Sequence, residues 1–146
     1  MIAAIDNTIN QKTFPYTKIG LVGYSGGGAI AALIAARRPN VAWLVTVAAN
    51  LDHKYWTNLH NLTPLSGSLN PADYAARLQS LPQLHLVGGK DTIVPPQVSQ
   101  SYVNKFTDTS HIKVRRMTGF DHECCWVKVW PQLLCDDRLF ESYCRE

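Results

Sequence analysis

Gly23-Tyr24-Ser25-Gly26-Gly27 sets a serine between two glycines, after the apolar run Lys18-Ile19-Gly20-Leu21-Val22 and before an alanine-rich stretch reaching Arg38. Gly-x-Ser-x-Gly between a strand and a helix is the layout of a nucleophile elbow. Side chains two residues either side of the serine are expected to collide across so tight a bend, so Gly23 and Gly27 are the residue types it calls for. The bend exposes the hydroxyl and leaves backbone N–H groups aimed at whatever it attacks. A serine hydroxyl is a poor nucleophile at neutral pH. It needs a base within hydrogen-bond reach, and the base needs an acid to orient it. Two loops offer them: Gly88-Gly89-Lys90-Asp91-Thr92-Ile93-Val94-Pro95 presents Asp91, and Gly119-Phe120-Asp121-His122-Glu123 presents His122.

The elements that must position these groups alternate along the chain. Ile2, Ile5 and Ile9 share one helical face, which predicts an amphipathic helix over 1–11. Strands are expected over 18–23, 41–48, 83–88 and 111–117, with the first two apolar enough to be buried on both faces. A helix is expected over 26–38, stopped by Pro39-Asn40. Residues 50–68 read as irregular. Asn70-Pro71 reads as a cap opening a helix to Leu81. Further helices are expected over 96–106 and 123–134, the latter carrying Pro131. Strands alternating with helices imply a mostly parallel sheet of about four strands with helices on both faces, an α/β fold. In such sheets the loops at the carboxyl ends of the strands share one rim, so those opening at Ser25, Asn50, Gly89 and Thr118 are expected to converge.

The totals narrow the classes. A chain of 146 residues suggests one domain, 1–146, and its 46% hydrophobic and 17% charged residues are an ordinary globular balance. A net charge of +3 is too small and scattered to argue for nucleic acid. No apolar run is long enough to span a membrane, and Met1 to Ile5 lacks the features of a signal peptide, so the compartment is left open with the cytoplasm as default. The cysteines, Cys124, Cys125, Cys135 and Cys144, have no zinc-ribbon spacing, and neither a metal nor an organic cofactor is implied. Cys135 paired with Cys144 or with one of the vicinal pair, a steadying disulfide or packing role for Cys124-Cys125, and reduced thiols all stay open. Gly23 to Gly28 lacks the Gly-x-Gly-x-x-Gly spacing of a dinucleotide site.

The order Ser25, Asp91, His122, each just after a strand, resembles the α/β-hydrolase superfamily. Gly-x-x-Asp-x-x-Val-Pro is similar to its acid loop, and Gly-x-x-His near the C-terminus to its histidine loop. Small esterases, dienelactone-hydrolase-like and prolyl-oligopeptidase-like domains are the nearest types. The resemblance implies a serine hydrolase that cleaves an ester, thioester or similar acyl bond of a small-molecule substrate. Ser25 would be the nucleophile, His122 the base and Asp91 the orienting acid, with the Gly26 N–H as half of an oxyanion hole. Asp52, after the second strand, is the rival acid. Tyr24, Trp56 and Tyr55 are candidates to line a substrate pocket. His53, His60, His85 and His111 have no nucleophile context and are expected to be structural.

The superfamily sheet has about eight strands, of which the resemblance covers the last four. The chain is therefore expected to be an N-terminally incomplete domain. The loop that gives the second oxyanion N–H in the superfamily has no counterpart before Ser25, and one lost donor costs about a hundredfold to a thousandfold in rate. The elbow strand would then be an unpaired apolar edge, which invites association with a second copy or a separate N-terminal half. The alternative function is an impaired remnant acting at most as an interaction module.

Overall fold

The computed structural model describes Ala3 and residues 18–135. The expected helix over 1–11 lies outside the described residues. The elements run β1 (Ile19–Tyr24), α1 (Gly26–Ala35), β2 (Val41–Val47), α2 (His53–Leu59), a 3-10 helix (Pro71–Arg77), β3 (Gln83–Gly88), α3 (Pro96–Val103), β4 (Ile112–Met117) and α4 (Trp126–Cys135). The four strands form one parallel sheet in the order β1-β2-β3-β4. Crossovers between parallel strands are right-handed, so an order that never reverses puts every crossover on the same face. The core obeys this. Ala32, Ala35, Leu44, Ala72, Leu78, Tyr102 and Phe106 form one cluster between the sheet and the crossover helices. Among the described residues the other face is covered by the segment after β4, where Trp126 and Leu133 of α4 pack on Val45, Val47, Leu84 and Leu86.

β3 is buried at every position, as expected of a central parallel strand. β1 departs from expectation. Gly20, Val22 and Tyr24 are exposed, and only Gly23 is fully buried. Its inner neighbour is β2, and no other described strand pairs with its outer edge. Val22 and Tyr24 instead border an apolar groove of about 400 Å³ with Val47, Trp126, Val127 and Trp130.

Two segments differ from their predicted form. Residues 53–59, expected to be irregular, form α2. Asp52 caps it by accepting the Tyr55 N–H at 3.1 Å. Only Thr57 of α2 is buried, so the helix rests on its cap more than on an apolar face that periodicity would reveal. The segment after Asn70 is a 3-10 helix that ends at Arg77, short of Leu81. Asn70 does not cap it with its side chain. The Asn70 amide bridges to α2, accepting from His53 N at 2.8 Å and donating to Asp52 Oδ1 at 3.2 Å. Pro131 lies inside α4, as the sequence placed it.

Candidate active site

Ser25 follows β1 and precedes α1 with φ 51°, a left-handed value rare for a residue with a side chain. Such strain costs about 1–3 kcal/mol and persists only where the surroundings enforce it. Here the Ser25 N–H donates to Val47 O of β2 at 2.9 Å, tying the bend to the sheet. A Cβ on Gly23 would overlap the Gly27 carbonyl, so Gly23 is required as expected. Gly27 is not: a Cβ there meets nothing. The second close approach lies one residue on, where a Cβ on Gly28 would strike the Ala49 side chain. Gly26 is the first residue of α1, so its N–H has no partner within the helix and sits at the positive end of the helix dipole.

The acid loop leaves β3 and the histidine loop leaves β4, and their backbones interlock. Gly89 N donates to Met117 O and Lys90 N to Phe120 O, each at 2.8 Å. Side chains on Gly88 or Gly89 would press into the histidine loop backbone. This close approach brings Asp91 and His122 together: His122 Nδ1 lies 2.8 Å from Asp91 Oδ2, and His122 Nε2 lies 3.0 Å from Ser25 Oγ. The three groups thus form one continuous hydrogen-bonded chain. The Asp91 side chain is wholly buried and that of His122 nearly so. The other Asp91 oxygen, Oδ1, accepts from Ile93 N at 2.9 Å and Val94 N at 2.8 Å.

His122 is also gripped through its backbone. Its carbonyl accepts from the Tyr24 hydroxyl at 2.9 Å and from the Trp126 indole at 3.0 Å. Tyr24 stands with its ring 5.4 Å from the His122 ring, and burial followed by the nearby Glu123, Asp91 and Asp121 charges pushes its phenol pKa up. The neighbouring Asp121 is engaged by the turn's own backbone. It accepts from Cys124 N and Glu123 N, which hold its carboxyl below the usual range. Cys124 and Cys125 are joined by a disulfide directly after this turn, so neither bridges to Cys135. Thr92, Ile93, Asp121, His122, Glu123 and Cys124 line a cleft of about 340 Å³ beside the imidazole.

Several candidates lie elsewhere. Asp52, the rival acid, is 3% exposed and bound to Ser101 Oγ at 2.7 Å, Asn70 and the Tyr55 N–H. Burial raises its pKa, but those hydrogen bonds and Lys105 outweigh that and leave it lowered. The Trp56 indole N–H is taken by Ile93 O at 2.7 Å, and His60 Nε2 meets the same oxygen at 3.1 Å. Local spacing could not reveal those contacts, because α2 reaches the acid loop only through the fold.

Comparison with known proteins bears on what this arrangement is. The sequence profile of the serine hydrolase (FSH1) family matches residues 2–119. The chain belongs to that family. The matched span contains Ser25 and Asp91 and ends at Gly119, short of His122. None of the curated proteins compared with it matches. Among solved structures it is similar to the 2,6-dihydroxy-pseudo-oxynicotine hydrolase, at 22% identity and a TM-score of 0.72, covering 96% of this chain and 44% of that one. It is similar to acetyl xylan esterase 1 from Thermoanaerobacterium sp. JW/SL YS485, at 18% identity and a TM-score of 0.72, covering 97% of this chain and 50% of that one. A third is MGS-MChE2, an α/β-hydrolase enzyme from the metagenome of sediments from the lagoon of Mar Chica, Morocco. It is 20% identical with a TM-score of 0.67, covering 97% of this chain and 68% of that one. These likenesses establish the α/β-hydrolase fold. The chain spans half or less of the length of the first two.

Proposed function

We propose that the chain cleaves a carboxylic ester, thioester or similar acyl bond through a covalent acyl-enzyme on Ser25. The observation that carries this reading is the unbroken run from Ser25 Oγ through both ring nitrogens of His122 to Asp91. In the reaction, Ser25 Oγ attacks the carbonyl carbon while His122 Nε2 takes its proton. The carbonyl oxygen gains the negative charge and is met by the Gly26 N–H at the start of α1. The tetrahedral species collapses, the bond to the leaving group breaks, and His122 Nε2 returns the proton to that group. Water then repeats the sequence on the acyl-serine, releasing the acid and restoring the hydroxyl. Asp91 Oδ2 accepts from Nδ1–H throughout, holding the ring in the tautomer whose Nε2 is basic and stabilising the imidazolium when it forms. The cleft beside His122 is bordered by the carboxylates of Asp121 and Glu123. That charge disfavours an anionic leaving group and suits a neutral or cationic one.

A fluorophosphonate probe tests this reading without knowledge of the substrate. One label per chain is expected, mapped by peptide sequencing to Ser25. A folded chain that takes up no label, or takes it up elsewhere, removes the reading.

A second reading rests on the outer edge of β1, which pairs with no other described strand and where Val22 is 48% and Tyr24 46% exposed beside the apolar groove. Unpaired apolar strand edges template association. On this reading the edge pairs with a strand from a second copy of the chain or a separate N-terminal half, and the domain works as an interaction module. Sedimentation velocity across a hundredfold concentration range is expected to show association of the isolated chain. A monomer at every concentration that also fails to bind a hydrophobic dye would exclude a role for that edge.

A further inference from the structure

The Asp91 carboxylate is aimed through a single peptide group. Its Oδ1 accepts from the Ile93 and Val94 N–H groups, leaving Oδ2 for His122. The Val94 N–H and the Ile93 carbonyl are opposite ends of one planar peptide unit. Whatever holds the Ile93 carbonyl therefore also sets the direction of the Val94 N–H. Two side chains hold it: the Trp56 indole N–H at 2.7 Å and His60 Nε2 at 3.1 Å. A carbonyl oxygen only accepts, so His60 must carry its proton on Nε2, and both lone pairs of Ile93 O are filled. Trp56 of α2 and His60, the residue that caps its C-terminus, stand four residues apart with ring centroids 5.4 Å apart. The helix that carries Trp56 and ends at His60 is fixed in turn by Asp52, which caps its start and reaches Ser101 of α3. The clamp acts where the loop has little else to hold it, since Thr92 and Ile93 are both exposed.

We infer that Trp56 and His60 are positioning residues for the proposed hydrolysis. They grip the 93–94 peptide so that its N–H fixes the Asp91 carboxylate, and through it the tautomer and tilt of the His122 ring. The inference rests on the reading of Ser25, His122 and Asp91 as a triad. It assigns to Trp56 a task different from lining a pocket, and to His60 a task in the acid loop.

Trp56→Phe keeps the ring and deletes the donor. His60→Leu deletes the second donor, and His60→Gln restores one, because a glutamine amide can donate from a similar place. The first readout needs no turnover: the low-field proton NMR resonance of the His122 Nδ1–H held by Asp91. It is expected to move upfield and broaden in Trp56→Phe and His60→Leu, and to recover in His60→Gln. In turnover of an activated ester, kcat is expected to fall about tenfold for each loss and up to about a hundredfold for both, with KM held, since misplaced groups lose rate rather than binding. In an Asp91→Asn background the same losses should have no further effect on kcat, the mark of residues acting through Asp91. A purely structural role would lower the melting temperature and leave the resonance and the kcat of the folded fraction unchanged; that result overturns the inference. Should one variant fail to fold, the other deletes a donor to the same oxygen and decides the matter. If wild-type protein shows the resonance but takes no fluorophosphonate, the hydrolase reading fails, while the resonance series still tests the clamp.

Discussion

Ser25→Ala is expected to lower hydrolysis of an activated ester by on the order of a millionfold, and Asp91→Asn by about ten-thousandfold. The two differ because they break different links. Without Oγ there is no covalent step, and the imidazole has no proton to take, so the other two groups lose their purpose together. Asparagine at position 91 leaves the nucleophile in place, and its carbonyl oxygen can still accept from Ile93 N and Val94 N as Oδ1 does now. Its amide nitrogen would then face His122 Nδ1 as a donor. The ring would respond by carrying its proton on Nε2, where it points at Ser25 Oγ and can no longer remove the serine proton. Stopped-flow release of a chromophoric alcohol, with folding checked by circular dichroism, measures both. Wild-type burst rates in folded Asp91→Asn would show that the acid comes from elsewhere. Asp52 is poorly placed to supply it, because its oxygens are already engaged by Ser101, Asn70 and Tyr55.

What the sequence disclosed about this site was its order along the chain. A parallel sheet sends the residues after each strand to one rim, so Ser25, Asp91 and His122 could be paired across separations of 97 and 31 positions with no contact in view. β2 was legible as a buried strand from its apolar run, whereas the full burial of β3 was not, because Gln83 and His85 put polar groups on one of its faces. What stayed hidden depends on atoms meeting across the fold. That Gly27 is open while Gly28 abuts Ala49 is decided by how α1 lies on β2. α2 is short and nearly all surface, so its Asp52 cap was the only local sign of it. The Trp56 and His60 contacts to Ile93 O span 37 and 33 positions and end on a backbone atom, which no side-chain pattern encodes. The exposed face of β1 was misread because an apolar strand looks the same whether or not a neighbour covers it.

Lowering the pH from 7 to 4.5 is expected to cost the fold about 3 kcal/mol through His85 alone, a large share of the roughly 5–15 kcal/mol that stabilises a typical domain. His85 sits in the middle of β3 with no exposure. Its Nδ1 lies 2.8 Å from Thr46 Oγ1, its Nε2 has no partner among the described residues, and Tyr102 packs edge-on to the ring. Tyr102 in turn gives its hydroxyl to Gln83 Oε1 at 2.8 Å. Burial pulls the His85 pKa from 6.5 to about 3. Above pH 6.5 the ring is neutral in both states and the native packing keeps its full value. Below pH 6.5 the unfolded chain takes up a proton that the folded chain refuses. Stability then falls by about 1.4 kcal/mol per pH unit until the folded pKa near 3 is reached, with a total of about 5 kcal/mol. Asp52 adds to the loss at the acid end, since a carboxyl with a lowered pKa also surrenders its stabilisation as pH falls. His85→Gln removes the titration while retaining an amide that can bond to Thr46. Urea midpoints for the two proteins, compared at pH 7, 6, 5 and 4, should diverge by one proton's worth of slope, the variant being flatter. Parallel curves would mean that His85 accepts a proton in the native state, and the sealed pocket around β3 would have to be redrawn.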